Sequence, residues 1–166
     1  MVLWLIGISG AGKTTMGRQL QTYLNRKGVR NYLLDGDEVR ALYDNDLGFS
    51  VADREQNIKR IIGMAYVLDK CGVTAVVCNI SPFERLRKLG GAKIDGYNEI
   101  YLKRDYSQSS QADVKDVYKD NLGKTDIVGK EIQFDPPEHP DLVIDTNEKS
   151  EEETLKQIIR YYEGLQ

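Results

Sequence analysis

Gly7-Ile8-Ser9-Gly10-Ala11-Gly12-Lys13-Thr14 decides the reading of this chain. The stretch matches in full the eight-residue phosphate-loop pattern, glycine, four residues, then Gly-Lys-Thr. Each residue type has a physical reason to be there. Glycines let the backbone curl until its N–H groups converge on phosphate oxygens. A helix beginning at the lysine adds its positive N-terminal end. Lys13 reaches the β- and γ-phosphates of a nucleotide, and the Thr14 hydroxyl is an oxygen ligand for Mg²⁺. The loop is therefore read as an ATP·Mg²⁺ cradle made of Gly7, Ser9, Gly10, Ala11, Gly12, Lys13, Thr14 and Thr15, with Lys13 also catalytic.

Working outward, the loop has the neighbours this mechanism needs. Val2–Ile8 is continuously apolar, which predicts a strand buried on both faces. Lys13–Lys27 carries Met16, Leu20, Tyr23 and Leu24 on one helical stripe. The alternation continues: a strand over Asn31–Leu34, a long helix from about Asp53 to Lys70, and a buried strand over Val73–Cys78. A short helix then starts at Pro82, strands follow over Glu99–Leu102 and Leu142–Ile144, and Ser150-Glu-Glu-Glu153 has the spacing of a capping box at a last helix. Strand and helix in turn predict an α/β fold: a P-loop kinase with a central parallel sheet, helices on both faces and ligands at the carboxyl ends of the strands. The polar stretch from Asp105 to Pro140 breaks the rhythm and is read as a helix plus a mobile lid on one kinase domain spanning residues 1–166.

Bulk properties narrow the partners. A chain of 166 residues with 40% hydrophobic and 30% charged residues has the balance of a globular protein. Its formal net charge of −3 argues against a general nucleic-acid binder, which carries a basic face. No apolar run approaches the roughly 18 residues of a membrane span. Cys71 and Cys78 make no disulfide framework, and with His139 they show no metal-ligand spacing. A reduced, cytoplasmic enzyme is expected.

A second cluster follows the second strand. Asp35 and Asp37 of Asp35-Gly36-Asp37 are expected to face the phosphate loop, where two carboxylates can hold Mg²⁺ (Asp35, with Thr14) and take a proton from an attacking hydroxyl (Asp37). The plainer alternative is an Asp-rich turn or helix cap. Arg40 lies about a turn further on, and Arg54 and Asn57 share a helix face. Two guanidinium groups and an amide suit an anionic acceptor, and Phe49 could stack on a ring. The alternative makes the arginines surface charges and Phe49 core; spacing alone ranks neither reading first.

Taken together, Gly7–Thr15, Leu34-Asp-Gly-Asp-Glu-Val-Arg40, Asp46-Leu-Gly-Phe-Ser50, Asp53-Arg54-x-x-Asn57 and Ile80-Ser-Pro-Phe83 resemble the adenylylsulfate (APS) kinase family. The resemblance implies ATP-dependent phosphorylation of the 3′-hydroxyl of a nucleotide, a small-molecule partner, and a homodimer. It implies Asp37 as base, Arg40, Arg54, Asn57, Ile80 and Ser81 around the acceptor, Phe49 as one wall of an aromatic slot, and Lys115 on phosphates. The sequence departs from the family at Ala112, Asp116, Glu38, Asn79 and above all Ile127, which stands where the family has the second stacking phenylalanine. Those departures leave open a branch, similar to this family, that phosphorylates cytidine diphosphoramidate, whose smaller pyrimidine suits a slot with one wall changed to Ile127.

Overall fold

The computed structural model describes residues 1–105 and 132–166. Among these residues the strands are β1 (Val2–Ile6), β2 (Asn31–Asp35), β3 (Thr74–Cys78), β4 (Tyr97–Lys103) and β5 (Leu142–Asp145). The helices are α1 (Lys13–Arg26), α2 (Gly36–Leu42), α3 (Val51–Lys70), α4 (Glu84–Lys93) and α5 (Glu151–Gly164). The strands form one sheet in the order β2-β3-β1-β4-β5, with every neighbouring pair parallel.

The apolar run at the N-terminus is explained by what lies on either face of β1. Val2, Trp4 and Ile6 join a core with Ile58, Ile61, Ile62 and Ala65 of α3 and Leu86 of α4. Leu3 and Leu5 point the other way, into a core with Met16, Leu20 and Leu24 of α1 and Ile158 and Tyr162 of α5. Alternate residues thus serve opposite cores, so no position on β1 is polar. The strand ends two residues earlier than the apolar run predicts. Gly7 takes φ 146° and passes so close to β4 that a Cβ there would stand 2.4 Å from the Leu102 carbonyl oxygen.

The last helix starts as its sequence requires. Glu153 N–H donates to Ser150 Oγ at 3.2 Å, and Ser150 N–H donates to Glu153 Oε2 at 2.9 Å, a complete capping box. One helix is longer and one more distinct than the sequence reading has them: α3 begins at Val51, and Asp35-Gly36-Asp37 is the start of a separate seven-residue helix. Most of the expected lid lies outside the described residues, but its final part is fastened to the body. Phe134 stacks on Tyr101 with centroids 5.8 Å apart, and Asp135 N–H donates to the Pro82 carbonyl at 2.9 Å.

With β1 between β3 and β4, the loops after β1, β2, β3 and β4 converge at one end of the sheet. The phosphate loop, the Asp-Gly-Asp turn, Asn79–Ser81 and Arg104 all belong to that end.

Candidate active site

The phosphate loop is shaped by backbone constraints. Gly10 and Gly12 take φ of 78° and 89°, a region that side chains with a Cβ rarely adopt. Gly12 is the N-cap of α1; no side chain caps that helix, and its first turn carries no acidic residue. Its leading N–H groups and the positive end of the helix dipole are thus left for an anion. Lys13 Nζ donates to the Ile8 carbonyl at 2.7 Å, which holds the ammonium across the loop.

Thr14 ties the loop to the neighbouring strand. Its hydroxyl donates to Asp35 Oδ2 at 2.8 Å, while Asp35 Oδ1 accepts from the Asp37 N–H at 2.9 Å. Asp35 is therefore a helix cap and a partner of the phosphate loop at once, so the two readings of Asp35-Gly36-Asp37 are compatible. Thr14 and Asp35 present hard oxygen donors. Among the described residues no group of three or more His, Cys, Asp or Glu could hold a metal ion. That donor set fits Mg²⁺, which takes one or two protein oxygens and completes its shell with water and phosphate.

The expected acceptor residues gather on the other side of Asp37. Arg40 is only 7% exposed, and its Nη1 donates to the Gly48 carbonyl at 2.6 Å. Its guanidinium lies 4.8 Å from the centroid of Phe49, and that of Arg54 lies 5.3 Å from the same ring. Arg54 Nε also donates to the Phe49 carbonyl at 2.8 Å. Phe49 itself is 55% exposed, so the plain reading, surface arginine and core phenylalanine, is inverted for Arg40 and Phe49. Burial lowers the Arg40 guanidinium from its ordinary value while the Asp37 charge opposes that shift; an arginine stays cationic regardless. Asn57 is fully buried, donates through Nδ2 to the Gly36 carbonyl at 3.1 Å, and leaves its Oδ1 without a hydrogen-bond partner among the described residues. Asp37 is exposed on the first turn of α2.

The loop carrying Phe49 is pinned by residues that the sequence reading passes over. Arg60 makes a two-pronged ion pair with Asp46, both contacts at 2.7 Å, and lies 4.1 Å over the Tyr43 ring. The Arg60 hydrogen bond holds the Asp46 carboxyl below the usual carboxylate range.

Ile80 is half-buried at the end of β3, whereas the Ser81 side chain faces the core and not the cleft. Ser81 is 1% exposed and its Oγ accepts from Trp4 Nε1 at 2.9 Å. Buried Arg87 braces this turn: Nη1 donates to the Ser81 carbonyl at 2.9 Å, Nη2 to the Asp135 carbonyl at 2.7 Å, and Nε lies 3.4 Å from Glu99. Burial raises the Glu99 carboxyl despite that arginine. Cys78 is buried between β3 and α1, donates to the Lys13 carbonyl at 3.1 Å, and has its thiol pushed up to about 12 by burial, so it is an inert packing group. Lys115 and Ile127 lie outside the described residues. Arg104 was missed altogether: its Nη1 donates to the Gly10 carbonyl at 3.2 Å from the end of β4. Its place directly after a strand, at the end of the sheet where ligands bind, is the signal that could have found it.

Residues 1–145 match the family model described as adenylylsulphate kinase. The chain belongs to the adenylylsulfate kinase family. It is 37% identical to the adenylyl-sulfate kinase of Staphylococcus carnosus over 98% of this chain and 84% of that one. Among solved structures, the APS kinase of Mycobacterium tuberculosis in complex with AMPPNP and APS superposes with a TM-score of 0.89 at 31% identity, covering 98% of this chain and 96% of that one. Shikimate kinase from Acinetobacter baumannii, at 17% identity and a TM-score of 0.68 over 99% of this chain and 94% of that one, shares the fold. As a member of the adenylylsulfate kinase family, the chain is an ATP- and Mg²⁺-dependent phosphotransferase with a nucleotide hydroxyl as acceptor. No helix among the described residues is long and apolar enough to cross a membrane.

Proposed function

We propose that this kinase phosphorylates the 3′-hydroxyl of a nucleoside 5′-phosphate anhydride, with adenylylsulfate as the acceptor. The observation that carries the reading is the link from Thr14 through Asp35 to Asp37, at 2.8 and 2.9 Å, which joins the phosphate loop to the acceptor cluster. In this mechanism the loop amides and Lys13 hold the β- and γ-phosphates. Mg²⁺, when bound at Thr14 and Asp35, supplies charge neutralisation of the phosphates. Asp37 orients the acceptor hydroxyl and takes its proton as the new O–P bond forms and ADP leaves. Arg40 and Arg54 offset the acceptor's negative charge, and Phe49 stacks on its base.

A second acceptor, cytidine diphosphoramidate, is kept by Phe49, which pairs with no other ring among the described residues; Phe134 stacks on Tyr101 instead. Together with Ile127 in the sequence, this suits a smaller base. ADP release with ATP·Mg²⁺ and each nucleotide at matched concentration separates the two. We expect the higher kcat/KM with adenylylsulfate; a clear advantage for the cytidine compound replaces the acceptor while leaving the reaction class intact. The reading extends to a cytoplasmic homodimer, which light scattering on the purified chain tests; a monomer at micromolar concentration overturns that part.

A further inference from the structure

Asn79 follows the last residue of β3 and lies between the first turn of α2 and the Ser81 turn. Its backbone N–H donates to the Leu5 carbonyl at 3.3 Å. Its Oδ1 accepts from Ser81 N–H at 2.9 Å and from Ser81 Oγ at 3.2 Å. Only the oxygen end of an amide can accept from a backbone N–H, so these bonds fix which way the side chain points. Nδ2 is then aimed at α2: a Cβ built on Gly36 would stand 2.3 Å from it. The mount is rigid. Ser81 is held at φ 47° by Trp4 on its hydroxyl and Arg87 on its carbonyl. Neither N–H of Nδ2 finds an acceptor among the described residues, although Asn79 is half-buried. Gly36, against which Nδ2 rests, immediately precedes Asp37. A donor amide packed against the residue that precedes the proposed proton acceptor, on the anion-binding end of the sheet, suits an oxygen of the acceptor's sugar–phosphate portion. The nucleobase, by contrast, belongs on Phe49 at the far end of the α2–α3 loop.

We infer that Asn79 is an acceptor-binding residue, whose Nδ2 donates to a sugar–phosphate oxygen of the acceptor nucleotide next to the hydroxyl that Asp37 handles. The inference rests on the function proposed above. Its test compares Asn79→Asp and Asn79→Ala in the full chain. Aspartate keeps an oxygen for the Ser81 N–H but removes the donor, whereas alanine removes both. Steady-state kinetics with adenylylsulfate and with cytidine diphosphoramidate, ATP titrations and thermal melts are read side by side. Expected for Asn79→Asp is a melting temperature close to wild type, an unchanged KM for ATP, and a KM for the acceptor raised about tenfold or more, the scale of one lost hydrogen bond. Asn79→Ala is expected to lower the melting temperature as well as acceptor affinity. An Asn79→Asp variant with wild-type acceptor kinetics shows that Asn79 serves only the Ser81 turn and overturns the inference, with the proposed function intact. A wild-type chain that turns over neither nucleotide overturns the function and the inference together.

Discussion

Around the phosphate loop, positions are set mainly by backbone: positive φ at Gly7, Gly10 and Gly12, a carbonyl of β4 against Gly7, and an α1 terminus with no side-chain cap. Across the cleft, positions are set by side chains holding other side chains and carbonyls: Arg40 on Gly48, Arg40 and Arg54 on Phe49, Arg60 on Asp46, Arg87 on Ser81. The two halves therefore differ in how freely they can vary. A phosphate is the same in every nucleotide, and a backbone cradle has little freedom to change with sequence. An acceptor differs from one kinase to the next, and a pocket of braced side chains can be re-tuned without disturbing the sheet.

Substitutions can break this contrast. The largest effect is expected at the junction of the halves: Asp37→Ala should lower kcat roughly a thousandfold, about 4 kcal/mol, by removing the proposed proton acceptor. ATP affinity, measured by equilibrium binding, should stay nearly unchanged; equal loss of both would make Asp37 a nucleotide or metal residue instead. Arg87→Ala tests whether the acceptor side depends on bracing outside it. Removing one partner from a buried ion pair should cost about 3 kcal/mol of stability in denaturant titrations. A variant of wild-type stability would mean that the two carbonyls and Glu99 find water instead. On the donor side, Gly7→Ala forces a Cβ against a backbone carbonyl at a disfavoured φ, which should cost about 2 kcal/mol in ATP affinity or in stability. Phe49→Ala should weaken acceptor binding by about 1–3 kcal/mol through lost stacking while sparing ATP; loss of ATP affinity would erase the division between the halves.

The smallest effect concerns pH. The Glu99 carboxyl is raised above its ordinary 4.5 by burial. The folded chain therefore holds this proton more tightly than the unfolded one. That contribution to stability is present below about pH 4.5 and is lost as pH rises through the folded value. Glu99→Gln should flatten this part of the pH dependence in thermal melts; an unchanged profile would assign it to other carboxylates.

How much was legible in the sequence varies with how local the cause is. The phosphate loop, the strands and the capping box of α5 depend on residues a few positions apart, and they were readable as such. Asp35 was readable as a candidate, but its hydrogen bonds join it to Thr14 of another strand–helix unit as well as to Asp37. Whether Arg40 is buried and Phe49 exposed could not be ranked from spacing, because both depend on how the loop between α2 and α3 folds back, which Arg60 and Asp46 decide from fourteen positions apart. Arg104 and Arg87 belong to no periodic or motif pattern; Arg104 meets the Gly10 carbonyl, and Arg87 meets the Ser81 and Asp135 carbonyls and Glu99, only once the chain is folded.

The phosphate loop is legible in the sequence alone: short-range steric rules make Gly7 to Thr14 adopt one kind of loop wherever a buried strand precedes it and a helix follows. The sequence also determined the α/β class, since residues facing two cores must be apolar on both sides of β1. Which side chains stand exposed and which are buried as braces was settled by tertiary contacts. Those outcomes depend on contacts between residues 6 to 48 positions apart, and such contacts have no fixed spacing for a sequence to display.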